Sequence, residues 1–191
     1  MRKRIDYALS DELMGQMEDE FRIGPLIENY RKALEGIDEN RKEAVAEDVF
    51  GTFGRNLAER ILALEDRYRD RTAEVAYRIA DQTGHPFPAY LQRPLEIGIL
   101  SIMNANKWHY DEISYKRLAY VVTRCVIHQA IEQSLGKALA DEVPCRFLCL
   151  GLYETLCENT MGEELVRVNM TSKISHETDR CSFEALYSHP G

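Results

Sequence analysis

The spacing of apolar residues changes once along this chain, and that change constrains its fold more than any motif. Over the first 82 residues apolar side chains return every three or four positions. In 11–35 the series is Leu13, Met14, Met17, Phe21, Leu26, Ile27 and Tyr30. From about 43 to 82 it is Val45, Val49, Phe53, Leu57, Ile61, Leu64 and Tyr68, restarting at Val75 and Ile79 beyond Thr72. A 3.6-residue repeat gathers such side chains on one stripe, so both stretches are predicted as amphipathic helices. Ser10, followed by Asp11 and Glu12, reads as an N-cap with acidic first-turn residues. Gly24-Pro25 is predicted to break or bend the first helix. Acidic and basic residues alternate on the outer faces, as on a solvated helix surface.

Residues 83–94 hold three of the six prolines, Pro86, Pro88 and Pro94, and read as a linker or elbow. Beyond it the period shortens. The run from Tyr115 to Thr123 includes Tyr120, Val121 and Val122, which favour a strand. Helical spacing returns over 126–140 through Ile127, Ala130, Ile131, Leu135 and Leu139, and a shorter helix is predicted over 146–158. Leu165, Arg167 and Asn169 then alternate with Val166, Val168 and Met170. Ser182 and Glu184 alternate with Phe183, Ala185 and Tyr187. With the polar turn His176 to Asp179 between them, these runs predict a terminal antiparallel hairpin. The expected fold is α+β: an N-terminal helical region (1–82), the elbow (83–94) and an α+β domain (95–191) whose antiparallel sheet carries helices on one face.

At 191 residues, 45% of them apolar, the chain can bury a core. Its formal net charge of −8 is spread out. Residues 1–82 carry 19 acidic and 14 basic groups, the remainder 13 and 10. No half is basic enough to cradle phosphates, so nucleic acid is not an expected partner. Arg2, Lys3 and Arg4 are followed by no apolar segment of signal-peptide type. The longest apolar run, near Ile97 to Met103, falls short of the roughly 20 residues that span a bilayer. A cytoplasmic protein with no membrane partner is the expectation. Its cysteines would then be reduced thiols, and their odd number argues against a complete disulfide framework.

Those five cysteines, Cys125, Cys145, Cys149, Cys157 and Cys181, all lie beyond residue 124. Cys125 sits where the strand-like run gives way to a helix that Thr123 is placed to cap. A thiol in a first helical turn feels the positive end of the macrodipole, which lowers its pKa. His128, three residues on, shares that helical face, and Arg124 adds positive charge. Thiolate with nearby imidazole is minimal equipment for nucleophilic catalysis; the bland alternative is a half-buried Cys and an exposed His. Cys145, Cys149 and Cys157 are spaced to line one helical face, with Pro144 placing Cys145 at the helix start. C-x3-C is compatible with a zinc pair, but no second pair follows, so buried free thiols are the default. His176, Glu177 and Asp179, just ahead of Cys181, offer acid/base groups, metal ligands or simply a solvated turn. His85 and His109 have no partner visible in sequence.

Several of these residues carry a family resemblance. Val122-Thr-Arg-Cys125, the helix ending at Leu135-Gly136, Cys145 twenty residues after Cys125, and the terminal Asp179-Arg-Cys181-Ser-Phe183 resemble the L-2-amino-thiazoline-4-carboxylic acid hydrolase family. The resemblance covers roughly residues 90–187. The terminal Cys-x-Phe strand is also similar to 4-vinyl-reductase-type small-molecule-binding domains, some of which bind zinc through cysteines. The hydrolase resemblance implies ring-opening hydrolysis of a cyclic thiazoline to an N-carbamoyl cysteine. It implies Cys125 as nucleophile or substrate anchor, His128 as acid/base, and Cys145 and Cys181 as site-lining thiols. Arg124, His176 and Glu177 would bind substrate. A thiolate can attack an electrophilic C=N carbon while imidazole moves protons, so the chemistry is compatible.

Three expectations follow. The first is a thiol-dependent hydrolase acting on the C–N and C–S bonds of a small N/S-containing ring. The second is a non-catalytic small-molecule or metal-binding sensor using the same pocket. The third is homodimerisation through the N-terminal helices. No cofactor is required by any motif, no metal ligands are assigned, and zinc or iron stays open.

Overall fold

The computed structural model describes residues 11–64, 106–113, 117–161, 166–175 and 177–187. The elbow at 83–94, the second helical stretch beyond 64, His85 and His176 lie outside those residues. Helix α1 spans Asp11–Glu20 and α2 spans Ile23–Ala33. The break between them falls at Phe21 and Arg22, ahead of Gly24-Pro25. Pro25 lies in the first turn of α2, where its missing N–H breaks no intrahelical bond, so it starts a helix rather than bending one.

A 3₁₀ turn, Glu39–Arg41, leads into α3 (Lys42–Ala46), a π-helical turn (Glu47–Gly51) and α4 (52–64) without interruption. The π turn shifts the buried stripe. Ala46 just before it and Phe50 within it are buried, while the expected Val45 and Val49 are only half-buried. After it, Leu57, Ile61 and Leu64 are buried as their spacing predicts. A π turn inserts an extra residue into one helical turn, which returns the later stripe to the core side.

The described strands form one antiparallel sheet in the order β1 (Lys107–Ile113), β2 (Arg117–Arg124), β4 (Cys181–Tyr187), β3 (Val166–Ser172). The terminal hairpin, β3 and β4, forms as its alternation predicts. β1, which the sequence reading did not single out, carries only a short alternation, Trp108 and Tyr110 against Lys107, His109 and Asp111, and pairs with β2. The registers Val122↔Cys181, Tyr120↔Phe183 and Met170↔Phe183 set these residues on one face. On the opposite face Arg117 donates to Glu184 (2.9 Å) and Glu112 (2.6 Å), and Asn169 donates to Glu184 (3.3 Å).

Three helices complete the α+β part: α5 (Val126–Leu135), α6 (Lys137–Glu142) and α7 (Arg146–Met161). The single helix expected over 126–140 is divided at Gly136, whose φ of 86° lies in the left-handed region that favours glycine. Leu139 consequently turns outward and is 54% exposed. Helix α7 crosses the π turn and α4 with backbones in contact. A Cβ on Gly54 would stand 2.2 Å from the Leu148 carbonyl oxygen, and one on Gly151 would stand 2.8 Å from that of Gly51.

The main core joins both halves of the chain. Met17, Ile27 and Tyr30 from the first two helices, with Phe50, Leu57 and Ile61, pack with Ile127 and Ile131 of α5 and Leu148, Leu152 and Leu156 of α7. The apolar stripe of the N-terminal helices is thereby buried within the chain; Leu139 is the one exposed large hydrophobic among the described residues. No described helix is long and apolar enough to cross a membrane.

Candidate functional site

The junction of β2 with α5 makes one wall of the site. Cys125 is the N-cap of α5, with extended φ −119° and ψ 121°. Thr123 does not cap this helix; its hydroxyl reaches the Lys107 carbonyl at 3.4 Å instead. The acceptor comes from twenty residues away, where Asn106 Oδ1 takes the Val126 N–H at 2.8 Å. The Cys125 sulfur closes no capping hydrogen bond of ordinary geometry. Burial pushes its thiol pKa up, while the amides of His128 and Ile127 beside it act the other way. The helix start is therefore present, but desolvation outweighs the lowering predicted from it.

The start of α7 and the β3–β4 hairpin make the other walls. Cys145 precedes α7 directly and Cys149 follows one turn later. Cys181 opens β4, and its sulfur accepts the Ile174 N–H at 3.2 Å. These three thiols and Cys125 line one small cavity together with His128, Met170, Lys173 and Ile174. Its interior of about 10 Å³ accommodates a single water. All five cysteines are free. Burial pushes Cys145 up to about 12 and Cys181 up to about 11, and carries Cys149 well above its ordinary value. The resting site is therefore one of protonated thiols at neutral pH.

His128 is buried, with 6% of its surface exposed. Its Nε2 lies 3.5 Å from Glu132, and its Nδ1 has no hydrogen-bond partner. An unmet buried polar atom of this kind costs about 1–3 kcal/mol, and it belongs to a residue lining the cavity.

Lys173 is the residue that sequence reasoning missed. Its Nζ donates to the carbonyls of Val143 (2.6 Å), Asp141 (2.7 Å) and Ala140 (3.3 Å), at the C-terminal end of α6. The amine thus meets the negative end of a helix while its side chain lines the cavity. Its charge lowers the pKa of Cys145 and Cys181 against the larger effect of burial. No local motif signals this, because its acceptors are main-chain atoms 30 to 33 residues earlier.

Four residues singled out in the sequence, Cys125, His128, Cys145 and Cys181, therefore meet. Cys149 joins them, whereas Cys157 lies outside the cavity lining. Arg124 and Glu177 do not line it: both are exposed, Arg124 donating to Gln129 at 3.5 Å and the Glu177 amide donating to Ser175 at 3.2 Å. His109 is on the surface beside Asp111, 3.4 Å away. Among the described residues no three His, Cys, Asp or Glu side chains are grouped so as to hold a metal ion.

No family model matches the chain, and no curated protein matches it. Among solved structures it is similar in outline to H-NOX proteins of K. algicida. A mutant in the Fe(II) unliganded form shares 12% identity, with 94% of each chain covered and a TM-score of 0.41. The Fe(II) unliganded protein shares 11%, with 93% of this chain and 94% of that chain covered and a TM-score of 0.40. A likeness this loose says nothing about the site.

Proposed function

We propose that the chain is a non-catalytic binding domain, of the small-molecule sensor kind, whose ligand is small and soft and is held by the thiol-lined cavity. The observation behind this reading is the convergence of Cys125, Cys145, Cys149 and Cys181, from three separate stretches of chain, on one small cavity. A water-sized cavity of protonated thiols suits binding better than turnover. A nucleophilic cysteine works as thiolate, and these thiols are raised by burial. A melting-temperature screen of soft ligands of only a few atoms, metal ions and sulfide among them, tests the reading. A rise without product formation is expected; indifference to the whole panel overturns it.

Thiol-dependent hydrolysis of a 2-amino-thiazoline-carboxylate-like ring remains the second reading. It is favoured by Cys125 at a helix start with His128 three residues on. A five-membered ring exceeds the water-sized cavity, so this activity requires the walls to move apart. Turnover abolished by iodoacetamide at Cys125 would support it, and absence of turnover with such rings would remove it.

A further inference from the structure

The thiol cavity has room for one water, and the side chain of Lys173 ties two of its walls together. A β-bulge aims that side chain. Met170 pairs with Phe183 but Ser172 pairs with Ser182, so Thr171 is an extra residue in β3. Past such a bulge the alternation of faces is reversed. Ser172 turns to the far face of the sheet, where its hydroxyl meets that of Ser182 at 2.8 Å. Lys173 follows on the thiol face and lines the cavity. With regular pairing it would share the far face with Asn169 and could not reach α6.

We propose that Lys173 is the latch of this cavity: its ammonium holds the end of β3 against the connection from α6 to α7, and its release opens the cavity between Lys173 and Cys145 to molecules larger than water. This inference rests on the binding-domain reading for what enters, and on the tie alone for where it enters. An ammonium has three protons, and three carbonyls meet this one, those of Ala140, Asp141 and Val143 at 3.3, 2.7 and 2.6 Å. Its donors are fully used, so it grips the wall and offers no proton to a ligand while the tie holds. Ala140 and Asp141 belong to the last turn of α6, where carbonyls lack helical partners and positive charge is favoured. The Val143 carbonyl also accepts the Cys145 N–H at 2.8 Å, so the tie fixes the point at which Cys145 enters the lining. On the hairpin side, Ile174 next to Lys173 donates its N–H to the Cys181 sulfur at 3.2 Å.

The remaining walls are held by main chain. The glycine seam seats α7 on α4, and the β2–β4 ladder with the Asn106 bond to Val126 seats the junction of β2 and α5. Lys173 is only half-buried, so water can take over its protons. A polar tie within reach of solvent opens at lower free energy than packed main chain does, which makes the Lys173 edge the one that gives way.

The test follows iodoacetamide alkylation of each cysteine in the reduced full-length protein at a single pH. Lys173→Met keeps an unbranched side chain and removes the three donors. It should speed alkylation of Cys145 and Cys181 more than about tenfold, and of Cys157, outside the cavity lining, by less than about twofold. Lys173→Arg keeps the charge but spreads its donors in a plane that three converging carbonyls do not match, so its rates should fall between. Unchanged rates at Cys145 and Cys181, or a Cys157 rate that rises in step with them, overturn the latch. The unaltered protein decides the matter if Lys173→Met misfolds. Limited acylation of its amines should modify Lys173 more than about tenfold more slowly than the exposed Lys32, and equal rates overturn the proposal. The latch and the binding-domain reading fail separately. Alkylation as expected, with no soft ligand raising the melting temperature, keeps the latch and removes that reading; a ligand-induced rise with alkylation unmoved does the reverse.

Discussion

Helix α7 has two differently built sides. Towards α4 it is packed to the limit: Gly54 and Gly151 let main chains touch, and Leu148, Leu152 and Leu156 are almost wholly buried. Towards the sheet and α5 it meets a cavity edged by four thiols, a histidine nitrogen without a partner, and a lysine held by carbonyls. The first side is what a fold needs to hold its helices in place. The second retains polar and polarisable groups that a core built only for stability would replace with methyl groups. The glycine seam positions the thiol side, because it fixes the height at which α7 presents Cys145 and Cys149.

The largest expected effect breaks the thiol side by pH. Folded Cys181 and Cys145 keep their protons to about 11 and about 12, whereas an unfolded thiol loses its proton near about 8.5. Folding stability is therefore complete below that lower value and falls as pH rises towards the upper ones. The slope is about 1.4 kcal/mol per pH unit for each thiol ionised only in the unfolded chain. Urea unfolding between pH 8 and 11 checks the slope, and replacing the cavity thiols should flatten it.

Breaking the other side comes next. Gly54→Ala is expected to cost about 3 kcal/mol or more, because the Leu148 carbonyl it meets is main chain and cannot turn aside. Chemical denaturation of the variant measures this. The contrast sharpens within α7 itself. Leu148→Ala should cost about 2–5 kcal/mol, whereas Cys149→Ala, on the cavity side, should cost under about 1.5 kcal/mol. Equal costs would erase the distinction between the two sides. The smallest effect belongs to the far face of the sheet, where Arg117→Ala should leave the denaturation midpoint almost unchanged despite its two carboxylate partners, being an exposed pair network screened by solvent.

Much of the fold was legible in sequence because it rests on local periodicity. The stripes Met17–Ile27–Tyr30 and Leu57–Ile61–Leu64, and the Arg167-to-Met170 and Ser182-to-Ala185 alternations, each needed only their own neighbours. What failed depended on non-local partners or one-residue shifts. β1 carries only a short alternation before it pairs with β2, the π turn displaces Val45 and Val49 by one position, and Gly136 ends α5 through a positive φ that a period cannot show. At the site, Cys125, Cys145 and Cys181 were recognisable from their places at element starts, and His128 from its three-residue spacing to Cys125. Their raised pKa values were not, since desolvation depends on what covers them. Lys173 and Asn106 act on main-chain groups far away in sequence, and neither leaves a motif.

The measurement that bears most directly on the shared thiol site is residue-resolved iodoacetamide alkylation of all five cysteines, in the unaltered protein and in Cys125→Ser. If Cys125, Cys145, Cys149 and Cys181 form one unit, removing Cys125 should change the alkylation rates of the other three and leave Cys157 unchanged. Rates at Cys145, Cys149 and Cys181 that ignore the substitution, or a Cys157 rate that moves with them, would contradict the single site.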